Sequence, residues 1–239
     1  MKTFRLIGMA FMAVVLGIGF CACSKDGSGE NGGGLITSGK KIVKIVGVQG
    51  SESETYTFTY DDSGRLIEAT RVEKYDGNTY TDEYEFIWGD DMIKVKKDSY
   101  SSTLTLKNGL VQKNDENDTY TYNNSNRFIK GKNAYETITA IWDGGKMVSV
   151  SESDDDWEMT LTYGEVCKKG YSPLIPYMIG FGPEVLYMAH PEIAGMRTTN
   201  LPSSFKTDED SINFTYEYDK EGYVTKIMFA GVTFTVTWK

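Results

Sequence analysis

The chain is poor in the residues that most often carry chemistry. Its 239 residues include a single histidine, three cysteines and five prolines. One histidine argues against most metal sites and most histidine-based catalysis. Cations are also in deficit: 25 Lys and Arg face 34 Asp and Glu, for a formal net charge of −9. That balance argues against a nucleic-acid partner, because counterion release needs clustered Lys and Arg. No Gly-x-Ser-x-Gly elbow, Walker loop or His-Glu-x-x-His helix occurs, and no motif calls for a cofactor. What remains is 40% apolar and rich in tyrosine, with 16 in all. That composition suits a folded globular chain and argues against disorder.

The first 22 residues read as an export signal. Lys2 and Arg5 form a positive start, and Leu6 to Phe20 is apolar but short for a membrane span. Phe20-Cys21-Ala22-Cys23 resembles a bacterial lipobox, with Cys23 as the lipidation site because small Ala22 precedes it. Removing residues 1–22 leaves 217 residues at a net charge of −11. Cys167 is then the sole free thiol, and an intramolecular disulfide has no second partner. Residues 23–40 form a Gly/Ser-rich flexible tether. Lys25-Asp26 within it resembles the short Lys-plus-acid export tag of surface lipoproteins. The expected location is the outer membrane, lipid-anchored and facing the cell exterior.

From Lys41 onward the dominant period is two. Tyr56, Phe58 and Tyr60 share one strand face, and Thr55, Thr57 and Thr59 share the other. Tyr80, Asp82, Tyr84, Phe86 and Trp88 repeat the pattern, as do Ile212 to Tyr218 and Val232 to Trp238. Turns such as Asp61-Asp62-Ser63-Gly64, Asn123-Asn124-Ser125-Asn126 and Asp219-Lys220-Glu221-Gly222 punctuate the runs. An internal repeat emerges: aromatic-x-aromatic, a polar turn, then a basic or apolar strand start. The prediction is an all-β antiparallel meander of about fourteen hairpin-linked strands, as a barrel or strongly curved sheet.

All five prolines fall between Pro173 and Pro202. Elsewhere the chain is proline-free, as hydrogen-bonded ladders require. Residues 164–206 therefore form an apolar insertion in a single β domain spanning 41–239. Pro183 and Glu184 suit a helix start, so Val185 to Ala189 is a predicted short helix ending before Pro191. The aromatic strand face is expected to be broad and partly wet, with the insertion over it as a lid or plug. Alternation does not decide which face points outward. Mixed charges such as Lys94, Lys96 and Lys97, and Lys239 at the terminus, weigh against a membrane-spanning barrel.

The lipobox, the glycine tether, the Tyr-x-Tyr-Asp-x-x-Gly hairpins and the late Asn200-Leu201-Pro202-Ser203 segment together resemble one group. It is a family of bacterial lipoproteins of unknown function with a porin-like fold. The resemblance implies a many-stranded meandering sheet or barrel and carries no catalytic or ligand residues.

Candidate ligand contacts are Trp88, Trp142 and Trp157 beside predicted turns, with Tyr187 and His190 in the insertion. Tyr and Trp rings can stack on sugars while their polar tips hydrogen-bond. Acidic runs at Asp154-Asp155-Asp156, Asp115-Glu116-Asn117-Asp118 and Asp208-Glu209-Asp210 lack the spacing of a calcium loop and read as solvated hairpin turns. No catalytic residue and no metal ligand is assigned. The expected role is non-enzymatic binding of a glycan or protein, with the membrane engaged through the lipid anchor. The alternatives are a structural envelope component docking another outer-membrane protein and a carboxylate-based glycoside hydrolase.

Overall fold

The computed structural model describes residues 39–153, 157–166, 169–198, 200–208 and 210–239. Cys21, Cys23, Cys167, Asp154-Asp155-Asp156 and Glu209 lie outside the described residues, as do the expected signal and all of the tether before Gly39.

The architecture is all-β and antiparallel. The first strands are β1 (Ile42–Gln49), β2 (Glu52–Tyr60), β3 (Leu66–Tyr75), β4 (Asn78–Trp88), β5 (Met92–Lys97) and β6 (Tyr100–Lys107). Then come β7 (Leu110–Asn114), β8 (Thr119–Tyr122), β9 (Phe128–Lys132), β10 (Thr137–Asp143), β11 (Lys146–Glu152) and β12 (Trp157–Val166). Two helices follow, α1 (Leu174–Ile179) and α2 (Glu184–Ala189), with a 3₁₀ turn over Pro191–Ala194. The sheet resumes with β13 (Asn200–Lys206), β14 (Ser211–Asn213), β15 (Thr215–Tyr218), β16 (Val224–Phe229) and β17 (Val232–Trp238).

Neighbouring strands pair in sequence order, and β17 returns to pair with β1, from Ile42↔Trp238 to Val48↔Thr233. Seventeen strands thus make a nearly closed barrel. β14 pairs back to β13 and β15 forward to β16, so the two are one run bent at Phe214. The thinnest seam is β7–β8, held by the single pair Lys113↔Thr119. Because directions alternate, both termini and the insertion fall at one end, called here the terminal end. Lys41 and Lys239 exchange backbone hydrogen bonds there, at 2.8 and 2.9 Å. The opposite end is the distal end.

Alternation becomes inside and outside. On β2, Glu54, Tyr56 and Phe58 are buried, while Thr57 and Thr59 are exposed. On β17, Val232, Phe234 and Val236 are buried, and Thr235 and Thr237 are exposed. The aromatic face is therefore the inner face, buried along most of its length, with Tyr80 exposed at the distal end of β4. The outer wall carries Thr, Glu and Lys, with Glu68, Glu83 and Glu85 exposed.

The insertion fills the interior. Val185, Leu186, Tyr187, Met188 and Ala189 of α2 are all buried, as are Leu174, Ile175, Tyr177 and Ile179 of α1. Its rings meet strands on several sides of the barrel. Tyr177 packs on Phe234 of β17 at 5.7 Å between centroids, and Phe181 packs on Tyr120 of β8 at 5.1 Å and Phe128 of β9 at 6.1 Å. His190 lies edge-on to Tyr60 of β2 and Trp88 of β4. Gly131 is required by that packing, since a Cβ there would stand 2.5 Å from the Phe181 ring.

Candidate functional site

The internal repeat has a physical basis at the terminal end. Asp61, Asn123 and Asp219 each open a turn of the same construction. The Oδ1 of each accepts hydrogen bonds from the N–H groups two and four residues on. The pairs are Ser63 and Arg65, Ser125 and Arg127, and Glu221 and Tyr223, all at 2.9–3.0 Å. Such Asx turns explain the choice of Asp or Asn at that position. Donation by the Tyr223 N–H holds the Asp219 carboxyl below its ordinary pKa.

A ring of aromatic latches lies beneath these turns. Strands running toward the terminal end finish on a Tyr or Trp that donates to a backbone carbonyl near the start of the preceding strand. The donors are Tyr60 to Ile42, Trp88 to Leu66, Tyr122 to Val111 and Trp142 to Phe128. Tyr163 to Met147, Tyr216 to Pro202 and Trp238 to Val224 complete the ring. These bonds measure 2.5–2.7 Å and give each half-buried ring the polar partner it needs. β6 departs from the pattern, with Leu106 in the corresponding place.

These contacts place the residues singled out in sequence. Trp88 and Trp142 are latches, and the Arg127 guanidinium lies 5.1 Å from the Trp142 ring. Trp157 begins β12 at the distal end, half-buried against the core. Tyr187 is fully buried, and its hydroxyl donates to the Tyr120 hydroxyl at 2.9 Å. His190 is fully buried too. Its Nε2 accepts from the Leu66 N–H at 3.2 Å, which leaves Nδ1 to donate to Glu192 at 3.0 Å. The fold thus brings Trp88 and His190 together, 5.7 Å between ring centroids, and keeps Trp157 at the opposite end.

Sequence reasoning missed a buried ionic cluster that holds α1. Glu54 and Arg71 are both buried inward-facing residues of β2 and β3, and they form an ion pair. The Glu54 carboxylate also accepts from Tyr56 at 2.7 Å and from Tyr177 of α1 at 3.3 Å. Arg71 reaches Glu73 at 2.8 Å and Asp82 at 3.3 Å, and Lys97 reaches Asp82 at 3.0 Å. Burial opposes the Arg71 charge, but Glu54 outweighs it and the guanidinium pKa is raised. Only alternation with Tyr56 marked Glu54 as inward-facing.

A cationic cleft opens at the terminal end, where the described chain begins. It has a volume of about 150 Å³ and is lined by Lys40, Lys41, Lys169, Arg197, Glu192 and Tyr223, among others. Lys169 and Lys40 lie over the Tyr223 ring at 5.9 and 5.3 Å. Lys40 also pairs with Glu221 at the rim. Burial lowers the Lys41 pKa, with Glu192 opposing and Arg197 adding to the effect. Arg127 beneath is lowered by burial and then by Arg197. Among the described residues no group of three or more His, Cys, Asp or Glu could hold a metal ion.

Two solved structures share the fold. One, a porin-like protein from Bacteroides uniformis, superposes with a TM-score of 0.63 at 16% identity, covering 85% of this chain and 99% of its own. Another, a porin-like protein from Bacteroides vulgatus, gives a TM-score of 0.57 at 12% identity, covering 84% and 99%. At such identities the likeness is one of fold. No protein-family model and no curated protein matches the chain.

Proposed function

We propose that this protein is a non-enzymatic binding module, held at the outer membrane by lipid on Cys23 and exposing its distal end to a glycan or protein. One observation carries the reading. Tyr75, Tyr80, Tyr100 and Tyr135 are 52%, 55%, 50% and 74% exposed, and all stand in or beside distal turns. Tyrosine offers broad, stiff contact area with a polar tip, suited to sugar rings and protein surfaces alike. The tether enters at the opposite end, so an anchored barrel turns these rings away from the membrane.

The wall supports an anchor as the means of attachment. A membrane-spanning barrel presents an outward apolar band about 25 Å tall and a wet interior. Here the outer wall is rich in Thr, Glu and Lys, and the insertion fills the interior. No helix among the described residues is long and apolar enough to cross a membrane. A glycan array probed with the protein and with a Tyr75→Ala/Tyr80→Ala variant tests the reading. Retained glycans whose signal falls at least tenfold in the variant support it. If neither arrays nor crosslinking on intact cells yields a ligand sensitive to that substitution, the reading fails.

A further inference from the structure

The cleft at the terminal end concentrates positive charge in an acidic molecule. Four cationic side chains, Lys40, Lys41, Lys169 and Arg197, line it beside Glu192, and Glu221 pairs with Lys40 at the rim, so the cations outnumber the carboxylates by two. The chain as a whole carries −9. The four cations come from three separate segments: the entry to β1, the end of the β12 side and the close of the insertion. A backbone bridge ties Lys169 to Tyr223 in the turn before β16, and the Lys40 N–H donates to the Tyr223 hydroxyl at 3.3 Å, so that turn joins two of the segments. The space takes an oxyanion with a few waters. A local surplus of cations favours an anion carrying more than one charge. Lysines supply point charges and Arg197 a planar fork, a set suited to phosphate.

We propose that this cleft binds a phosphate-type oxyanion, and that in the anchored protein the phosphate belongs to a membrane headgroup. The headgroup half rests on the anchored reading above. Gly39 lies sixteen positions after Cys23. The Gly/Ser-rich composition of that stretch sets its reach at roughly 20–24 Å. The cleft beside Gly39 therefore faces the bilayer at short range, where its charge orients an otherwise acidic barrel with the distal tyrosines outward. The depressed pKa of Lys41 fits the same picture, because an anion would offset the cost of holding its ammonium half-buried.

The test uses the full chain with Cys23→Ala, so that no acyl chain contributes. It is titrated with inorganic phosphate by calorimetry, and separately with phosphatidylcholine vesicles with and without phosphatidic acid. Expected results are saturable phosphate binding and retention on phosphatidic acid vesicles. Both should fall at least tenfold in Lys41→Gln/Lys169→Gln and recover in Lys41→Arg/Lys169→Arg. Lys94→Gln/Lys96→Gln, on the outer wall, should change neither. A thermal midpoint for each variant confirms folding. Phosphate binding without preference for phosphatidic acid overturns the headgroup half and identifies a soluble phosphate ligand. No saturable phosphate binding, or equal loss from the wall variant, overturns the site itself. Membrane release of Cys23→Ala in cells is scored separately, so a failed anchor and a failed cleft give different results.

Discussion

At the scale of single residues, Phe181 sets how tightly the insertion sits. It is 2% exposed and touches Tyr120 and Phe128 on the facing wall. Phe181→Ala removes that ring and should cost about 3–5 kcal/mol in urea unfolding. Gly131→Val attacks the same contact from the wall and should also destabilise, because its side chain would collide with the buried Phe181 ring. The ionic cluster predicts acid behaviour. Burial pushes the Asp82 pKa up, but Lys97 and then Arg71 outweigh it, and the carboxyl sits below its ordinary value. A depressed carboxylate contributes stability that is present above its unfolded pKa, about 3.9, and is lost as pH falls through the lower folded value. Thermal midpoints of Asp82→Asn and the parent chain should therefore converge below about pH 4, and stand furthest apart at neutral pH. Little at this scale was legible beforehand. Lys40, Lys41, Lys169 and Arg197 meet only because the insertion returns to the end where the chain enters.

At the scale of elements, every hairpin of the barrel but β5–β6 is closed twice: by its turn at the distal end and by an aromatic latch at the terminal end. Trp88→Phe keeps an aromatic ring, though a smaller one, and loses the indole N–H that reaches the Leu66 carbonyl. The expected cost is about 1 kcal/mol, read as a shift in denaturation midpoint with an unchanged slope. Trp88→Ala should cost several times more, since the ring also packs against His190. The strands themselves were largely readable. Alternating Thr and aromatics and Asx-type turns located the long ones, and proline confinement located the insertion. About fourteen strands were expected and seventeen are present; the periodic run Ile212 to Tyr218 is divided at Phe214 into β14 and β15, and β8 has only four residues. The repeat was visible as aromatic-x-aromatic before a turn, but its meaning was not. A latch bonds to a carbonyl 11 to 22 residues earlier, a distance that alternation within one strand does not encode.

At the scale of the whole molecule, an inward apolar face and an apolar insertion solve each other's burial. A barrel of this many strands is too wide for its own side chains to fill. The insertion supplies two buried helices and the rings of Tyr177, Phe181 and Tyr187, leaving the outer wall to Thr, Glu and Lys. Sequence periodicity is symmetric between inside and outside, so closure and facing emerge only once β17 pairs with β1. The insertion occupies the barrel interior, and amide hydrogen exchange on the full chain tests that placement most directly. Amides donated within the insertion, such as that of His190 to the Leu186 carbonyl at 2.8 Å, should exchange as slowly as those of β2 and β17. Exchange of the α1 and α2 amides as fast as those of the exposed hairpin tips would place the insertion outside the barrel and contradict the account.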